Sequence, residues 1–295
     1  MDEVDAVVER LSQLISDINS KAIQDTVSTS ELFTALQSLL QLGQSSHIDT
    51  SHIVATATLS SLNALLTSKA ILLTYSLQTL LVMVFECIFT RNTPGYIIRN
   101  IIASLIHVCQ QKVSTIGARE CAITLLGIVT ERRTAESLSF TQEILNLALK
   151  FTRSSDIMLR HVSTMSIVSM VKGYGSSFVE NYPEITKYIP KLCSDRAPEI
   201  RISSCQLIFE ISTNLHLCPD KFIEAFIPIL IKGLDDDLPN VQDKFAATLS
   251  YVSYSLIFKH HINLPPSNAG FLSAYYGICS TASEIEDRSC KGDRF

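Results

Sequence analysis

The stretch Asp195-Arg196-Ala197-Pro198-Glu199-Ile200-Arg201 decides the fold. Moved forward by one fixed step, so that Asp195 falls on Asp236, it matches Asp236-Asp237-Leu238-Pro239-Asn240-Val241-Gln242. The leading Asp, the Pro and the aliphatic residue before the last polar one all recur. Behind them, Cys205, Ile208 and Ile211 fall on Ala246, Leu249 and Val252. Moved back by the same step, Leu159-Arg160 takes the place of Ile200-Arg201, followed by Thr164, Ile167 and Met170. A further step back gives Ala118-Arg119, then Ile123, Leu126 and Val129. Arg119, Arg160, Arg201 and Gln242 therefore stand at equal intervals along the chain. The steps of three between the apolar positions mark one buried helical face in each unit.

Each unit holds two helices. One begins near the aliphatic-Arg pair, and the other precedes it, at about Ala135–Phe151, Pro183–Cys193 and Pro219–Lys232. A period of about 40–47 residues with two helices is the signature of HEAT or armadillo arrays. The fold expected is therefore all-α, a HEAT/armadillo-type α-solenoid of stacked antiparallel helix pairs. A helical hairpin cannot bury its apolar faces alone, so it stacks on its neighbours. Pro190 and Pro228 fall inside first helices, where a proline removes one backbone bond and predicts a kink. Asp195 and Asp236 are placed to cap the second helix, or to accept from the Arg of an adjacent unit. Arg suits such a ladder because its planar fork holds two bonds at once. Arg119, Arg160, Asp195, Arg201, Asp236 and Gln242 are thus read as a structural repeat ladder.

Outside the repeat the chain also reads as helix, with no alternating β-branched runs. Ser28-Thr29-Ser30-Glu31 fits a capping box before Leu32–Leu42, which Gly43 ends. Ser51 can cap a helix running to about Thr67. Helices follow at about Tyr96–Lys112, Gly117–Thr130 and Ala135–Phe151. Ser155 can cap the next, which stops at Lys172-Gly173-Tyr174-Gly175. Pro183, Pro198, Pro219 and Pro239 each sit near a helix start, where a missing N–H costs nothing. The expected organisation is 1–93 as divergent helical repeats, 94–263 as HEAT-like repeats and 264–295 as a flexible tail. At about 40 residues each, this gives one array of roughly six or seven hairpins.

The chain has 295 residues, 46% hydrophobic and only 18% charged, against about 25% charged in ordinary domains. Two architectures carry so much apolar sequence: a membrane protein, or helices covered on several sides. Ala70–Phe89 is long enough to resemble a spanning helix. Gln78 and Glu86 lie inside it, and a carboxylate there is costly unless partnered. It is read as a buried helix, with a membrane protein through 70–89 as the alternative. The acidic start Met1-Asp2-Glu3-Val4-Asp5 lacks the basic and apolar segments of a secretory signal, which implies a cytoplasmic chain.

No chemistry-bearing motif stands out. The eight cysteines form no Cys-x-x-Cys pair and are read as reduced, buried small residues. His260-His261 has no acidic or Cys partner at ligand spacing, so no metal is expected. Phosphate loops, nucleophile elbows and His-Glu-x-x-His are absent. Gly173-Tyr174-Gly175 follows no strand, so it is no nucleotide loop. Cys193, Cys205 and Cys218 with His216 make the one conceivable nucleophile set, and periodicity places Cys205 in the core. No cofactor and no catalysis are expected. Nucleic-acid binding gets no support from a pI near 5.8.

Charge is unevenly spread. Residues 1–90 carry 3 Lys/Arg against 9 Asp/Glu, 91–192 carry 12 against 7, and 193–295 carry 9 against 13. Arg132, Arg133, Lys150 and Arg153 are the densest basic positions, a candidate partner-binding patch. Asp235-Asp236-Asp237 reads as a turn and helix start.

Residues 94–260 resemble the N-terminal part of the HEAT repeat-containing protein 5 family, a little over half of the chain. The resemblance is carried by Thr93-Pro94-Gly95 with Arg99, and by Ser176-Ser177, Tyr188, Leu192-Cys193-Ser194-Asp195-Arg196, Ile200-Arg201 and Cys205. A further unit like Leu234–Leu256 follows in the same order. These very long proteins accompany clathrin adaptors at the trans-Golgi network and endosomes. The resemblance implies a non-catalytic scaffold in endocytosis, endosome-to-Golgi retrieval and protein localisation. Its partners would be clathrin adaptor or coat-associated subunits, with membrane association only through them. Another HEAT or armadillo binding module, such as a transport receptor or a tubulin-binding array, is the competing reading.

Overall fold

The computed structural model describes residues 3–21, 26–44, 61–66, 68, 73–88, 93–175, 178, 181–213 and 220–260. Among them all regular secondary structure is helical, as the periodicity predicts. The chain divides into two compact units, Met1–Gly175 and Ser176–Phe295.

The first unit contains α1 (Glu3–Lys21), α2 (Thr26–Gln44), α3 (Tyr75–Ile88), α4 (Gly95–Gln110), α5 (Ile116–Arg132), α6 (Thr141–Phe151) and α7 (Ile157–Tyr174). A helical stretch at 61–66 precedes α3. The second unit contains α8 (Ile189–Cys193), α9 (Pro198–Thr213), α10 (Asp220–Gly233) and α11 (Pro239–His260). Consecutive helices pair as α4/α5, α6/α7, α8/α9 and α10/α11. The second helix of each pair begins at Ile116, Ile157, Pro198 and Pro239, the same interval as in the sequence repeat. Second helices pack on one another within each unit, α5 on α7 and α9 on α11. This is the stacked-hairpin architecture of the HEAT/armadillo-type α-solenoid.

The two helices of a hairpin are buried differently. α6 has one broad apolar face, Ile144, Leu145, Leu147, Ala148, Leu149 and Phe151, opposite exposed Gln142, Glu143, Asn146 and Lys150. In α5, Ala118, Cys121, Ala122, Ile123, Leu125, Leu126 and Val129 are buried around most of the circumference. The shortage of charge in the sequence follows from such multiply covered helices. Several hydroxyls buried there bond to their own helix, while Ser166 Oγ has no partner. Ser163 donates to Leu159 O (2.6 Å), Thr164 to Arg160 O (2.9 Å) and Ser212 to Ile208 O (2.8 Å). No buried oxygen in these residues is then left without a partner.

Small residues set the approach of α5 and α7. A Cβ on Gly127 would meet Ser166 Cα at 2.9 Å, and one on Gly173 would meet Thr130 O at 2.3 Å. Gly175 closes α7 with φ 66°, a conformation glycine adopts at little cost.

Several local expectations need correction. α2 already runs at Thr26, so Ser28 lies inside the helix and does not open it. The cap of α7 is Asp156, whose carboxylate accepts from Leu159 N at 2.8 Å, in place of Ser155. Pro183–Cys193 is no single helix. A 3-10 turn at Pro183–Lys187 gives way to the short α8, so Pro190 opens a helix and kinks none. Pro228 does lie inside α10. Within 70–89 the described helix, α3, has 14 residues. Among the described residues no helix is long and apolar enough to cross a membrane. Cys218, Cys279, Cys290, His216, the side chains of His260-His261 and the segment 264–295 lie outside the described residues.

Candidate functional site

The repeat ladder is a set of loop staples. Each second helix begins with a residue whose side chain turns back onto the loop before it. Arg119 donates to Gln111 O (2.8 Å) and Lys112 O (3.3 Å). Arg160 donates to Ser154 O (3.0 Å) and Ser155 O (3.1 Å), and Arg201 to Asp195 O (2.8 Å) and Arg196 O (3.2 Å). Gln242 makes the same bond to Asp236 O with one donor group. That explains why Gln can stand where the other units have Arg. Carbonyls at a helix–helix turn have no intrahelical partner, and the ladder supplies one.

The aspartates complete the loops. Asp195 Oδ1 accepts from Ala197 N (2.9 Å) and Asp236 Oδ1 from Leu238 N (3.1 Å). Arg201 also reaches the next loop: Nη2 donates to Asp236 Oδ1 at 2.8 Å, and Nε lies 2.7 Å from Oδ2. Burial pushes the Asp236 carboxyl up. The Arg201 bond, the Leu238 N–H and the guanidinium charge together outweigh it and hold the group below its ordinary range. Asp236 thus accepts both from its own loop, through Leu238 N, and from Arg201 of the preceding hairpin.

The four basic residues do not form one patch. Arg133 is buried and donates through both terminal nitrogens to Thr93 O (3.0 Å each). It also bonds the Glu136 carboxylate, and this bond chiefly holds Glu136 below its usual range. Arg132 pairs with Glu86 at 3.1 Å, tying α5 to α3 and partnering the carboxylate that a spanning helix would have left alone. Lys150 acts on Cys109 together with Arg119, at the opposite end of α5 from Arg132. Thirteen residues of helix separate those ends, about 20 Å. Lys150 and Arg153 are exposed there, with the Lys150 ammonium 5.9 Å from the Phe151 ring centre.

A wide opening lies elsewhere, in the second unit. A cleft of about 600 Å³ is bounded by α8, the C-terminal half of α10 and the loops after them. Pro190, Pro228 and Ile229 supply apolar surface. Asp195, Asp235 and Asp237 stand along it, with Lys232 and the Arg201–Asp236 pair. Pro190, Lys232, Asp235 and Asp237 are exposed, so the cleft opens to solvent. The sequence marks Pro190 and Pro228 as kinks and Asp235-Asp236-Asp237 as a turn, and neither reading gives a cleft.

The described cysteines are free thiols. Burial pushes Cys109 and Cys121 up to about 12 and Cys193 to about 11, and raises Cys205 as well. Thiols so placed are poor nucleophiles. One carboxyl is out of pattern: Glu120, buried in α5, takes a bond from Gln78 Nε2 (3.1 Å). Burial, and then the nearby Asp156, raise its pKa. Among the described residues no group of three or more His, Cys, Asp or Glu could hold a metal ion.

No protein-family model and no curated protein matches the sequence. Solved structures do. An engineered protein is similar over 86% of this chain and 98% of its own, at 14% identity and TM-score 0.57. A designed armadillo repeat protein in complex with the peptide (KR)4 is similar over 82% and 99%, at 16% identity and TM-score 0.54. A structure of Kap95p with RanGDP is similar over 92% of this chain but 37% of that one, at 11% identity and TM-score 0.51. At such identities the likeness establishes the fold: the chain is a HEAT/armadillo-type repeat solenoid.

Proposed function

We propose that the chain is a non-catalytic scaffold that binds other proteins, with residues 94–263 as its repeat array. The observation that supports this most is the set of stapled hairpins. Four hairpins recur at equal spacing, and their loops are fixed by Arg119, Arg160, Arg201 and Gln242. Rigid repeats with fixed loops present extended surfaces to partners. The designed armadillo relative, which holds a peptide, supports protein or peptide ligands for this architecture.

The finer reading places the scaffold in clathrin-adaptor-linked vesicle traffic, acting in endocytosis and endosome-to-Golgi retrieval. It is supported by the ordered resemblance over Leu192–Arg196, Ile200-Arg201 and Cys205. The chain would then be cytoplasmic and peripheral at Golgi or endosomal membranes through its partners. Affinity capture from cytosol on the full chain, with the recovered proteins identified by mass spectrometry, tests both levels. Enrichment of clathrin adaptor or coat-associated subunits is the expected result. Recovery of tubulin or nuclear-transport cargo instead removes the traffic reading, and recovery of nothing removes the scaffold reading.

A further inference from the structure

We infer that the cleft of the second unit docks a Lys- or Arg-bearing segment of a partner protein, an inference that rests on the scaffold reading. The chemistry of the cleft selects this occupant. Its charges are Asp195, Asp235, Asp236 and Asp237 against Arg201 and Lys232. Arg201 and Asp236 are committed to each other. Asp235 and Asp237 then outnumber Lys232, and the balance is negative. Asp235 and Asp237 are exposed and make no ion pair among the described residues.

Negative charge alone would equally suit a metal ion. The described carboxylates do not converge as ligands, and no group of three could hold one. The apolar surface of Pro190, Pro228 and Ile229 points the same way, since a hydrated cation gains nothing from it. A Lys or Arg side chain gains from both parts. Its aliphatic stem covers apolar surface while its charged head stays at the wet, acidic rim. A cleft of about 600 Å³ is in the range of built ligand sites, roughly 300–1,000 Å³.

The test uses the full chain and a fluorescein-labelled decapeptide of alternating Arg and Leu, read by fluorescence anisotropy at low salt. Asp235→Asn with Asp237→Asn removes two exposed charges that staple nothing. Glu9→Gln with Glu31→Gln removes two exposed charges from the first unit and serves as the control. We expect the first pair to weaken binding about fivefold to tenfold, through the loss of two exposed ion pairs. The control pair stays within twofold, and Lys232→Glu tightens binding about threefold. Equal weakening by both pairs, or no saturable binding by the unaltered chain, overturns the proposal. So does a dimer, seen by sedimentation, that Asp235→Asn with Asp237→Asn dissolves, because the occupant is then a second copy. If partner capture survives that double change, the scaffold reading stands and this cleft is removed from it.

Discussion

Replacing Gly173 by alanine tests whether the close approach of α5 and α7 is what holds the first unit together. The residue has an ordinary helical backbone, so alanine brings no conformational strain. In an isolated helix the change would stabilise by about 1 kcal/mol. Here the new Cβ would meet Thr130 O at 2.3 Å, Glu131 Cα at 2.9 Å and Thr130 C at 3.0 Å. All three are backbone atoms, so no side chain can swing aside. Ordinary contact begins near 3.4 Å, and the end of α5 must retreat by about 1 Å. Overpacking of that kind costs about 2–3 kcal/mol. The net expectation is a loss of about 1–2 kcal/mol, opposite in sign to the propensity effect. Gly95→Ala is the control, because its Cβ meets only side-chain atoms, Glu136 Cγ at 3.3 Å and Arg99 Nη1 at 3.7 Å; it should stay within about 0.5 kcal/mol. Urea unfolding followed by circular dichroism gives the two stabilities. Hydrogen exchange at Thr130 and Glu131 localises the loss, which matters because repeat stacks can open unit by unit. A Gly173→Ala chain as stable as the parent, with unchanged protection of α5, refutes the packing argument.

Four further outcomes follow from the same contacts. Gly233→Ala would place a Cβ 2.1 Å from Cδ1 of the buried Phe245 ring, and should cost about 2–3 kcal/mol. Phe245→Leu in that background should recover part of it, so a double-mutant cycle that is strictly additive sinks the contact. Arg201→Ala removes two loop bonds and the Asp236 ion pair, and should cost about 2–3 kcal/mol in urea unfolding. The folded pKa of Asp236 is lowered, so the pair stabilises above the ordinary value of 3.8 and is lost as pH falls through the folded value. Arg201→Ala should therefore flatten the acid limb of the stability curve, and an unaltered limb refutes the coupling. Glu120 is raised, which reverses the sign: its folded form is favoured below the ordinary value of 4.5 and loses stability as pH rises through the folded value. Glu120→Gln should then raise Tm at pH 7 and leave it unchanged near pH 4. Cys109 and Cys121, pushed from 9.0 up to about 12 by burial, hold far less thiolate than a free cysteine, so a disulfide reagent at pH 8 should modify them only after unfolding.

What the sequence reveals follows from the range over which each feature is determined. The starts of α5, α7, α9 and α11 are legible to within about a residue because Arg119, Arg160, Arg201 and Gln242 mark them. Each mark acts locally, on carbonyls five to eight residues upstream. The broken first helix over Pro183–Cys193 is less legible, because the apolar pattern does not register the turn at Tyr188 between a 3-10 and an α segment. Arg132, Arg133, Lys150 and Arg153 lie close together in sequence and suggest a patch. An antiparallel connection separates them, and Arg133 is consumed by Thr93 and Glu136. The cleft is illegible for the complementary reason. Pro190 and Pro228 belong to different hairpins and meet only because successive hairpins stack.

The cleft and the ladder share a division of labour along the segment 234–238. Gln242 holds the carbonyl of Asp236, and Arg201 holds its carboxylate. The middle aspartate is therefore fixed from two helices, one in each hairpin. Its neighbours Asp235 and Asp237 are left exposed on a loop that cannot easily move. Pre-positioned charges of this kind lose little entropy when a ligand arrives, so even weak exposed pairs add to affinity. The same arrangement dictates which variants can report on binding. Arg201→Ala would destabilise the hairpin and also release the Asp236 charge into the cleft, raising its negative balance while loosening its frame. A tighter or a weaker ligand could then result from either effect. Asp235→Asn with Asp237→Asn changes the field and leaves the staples intact, so unchanged urea stability beside weakened binding is the pattern that separates recognition from folding here.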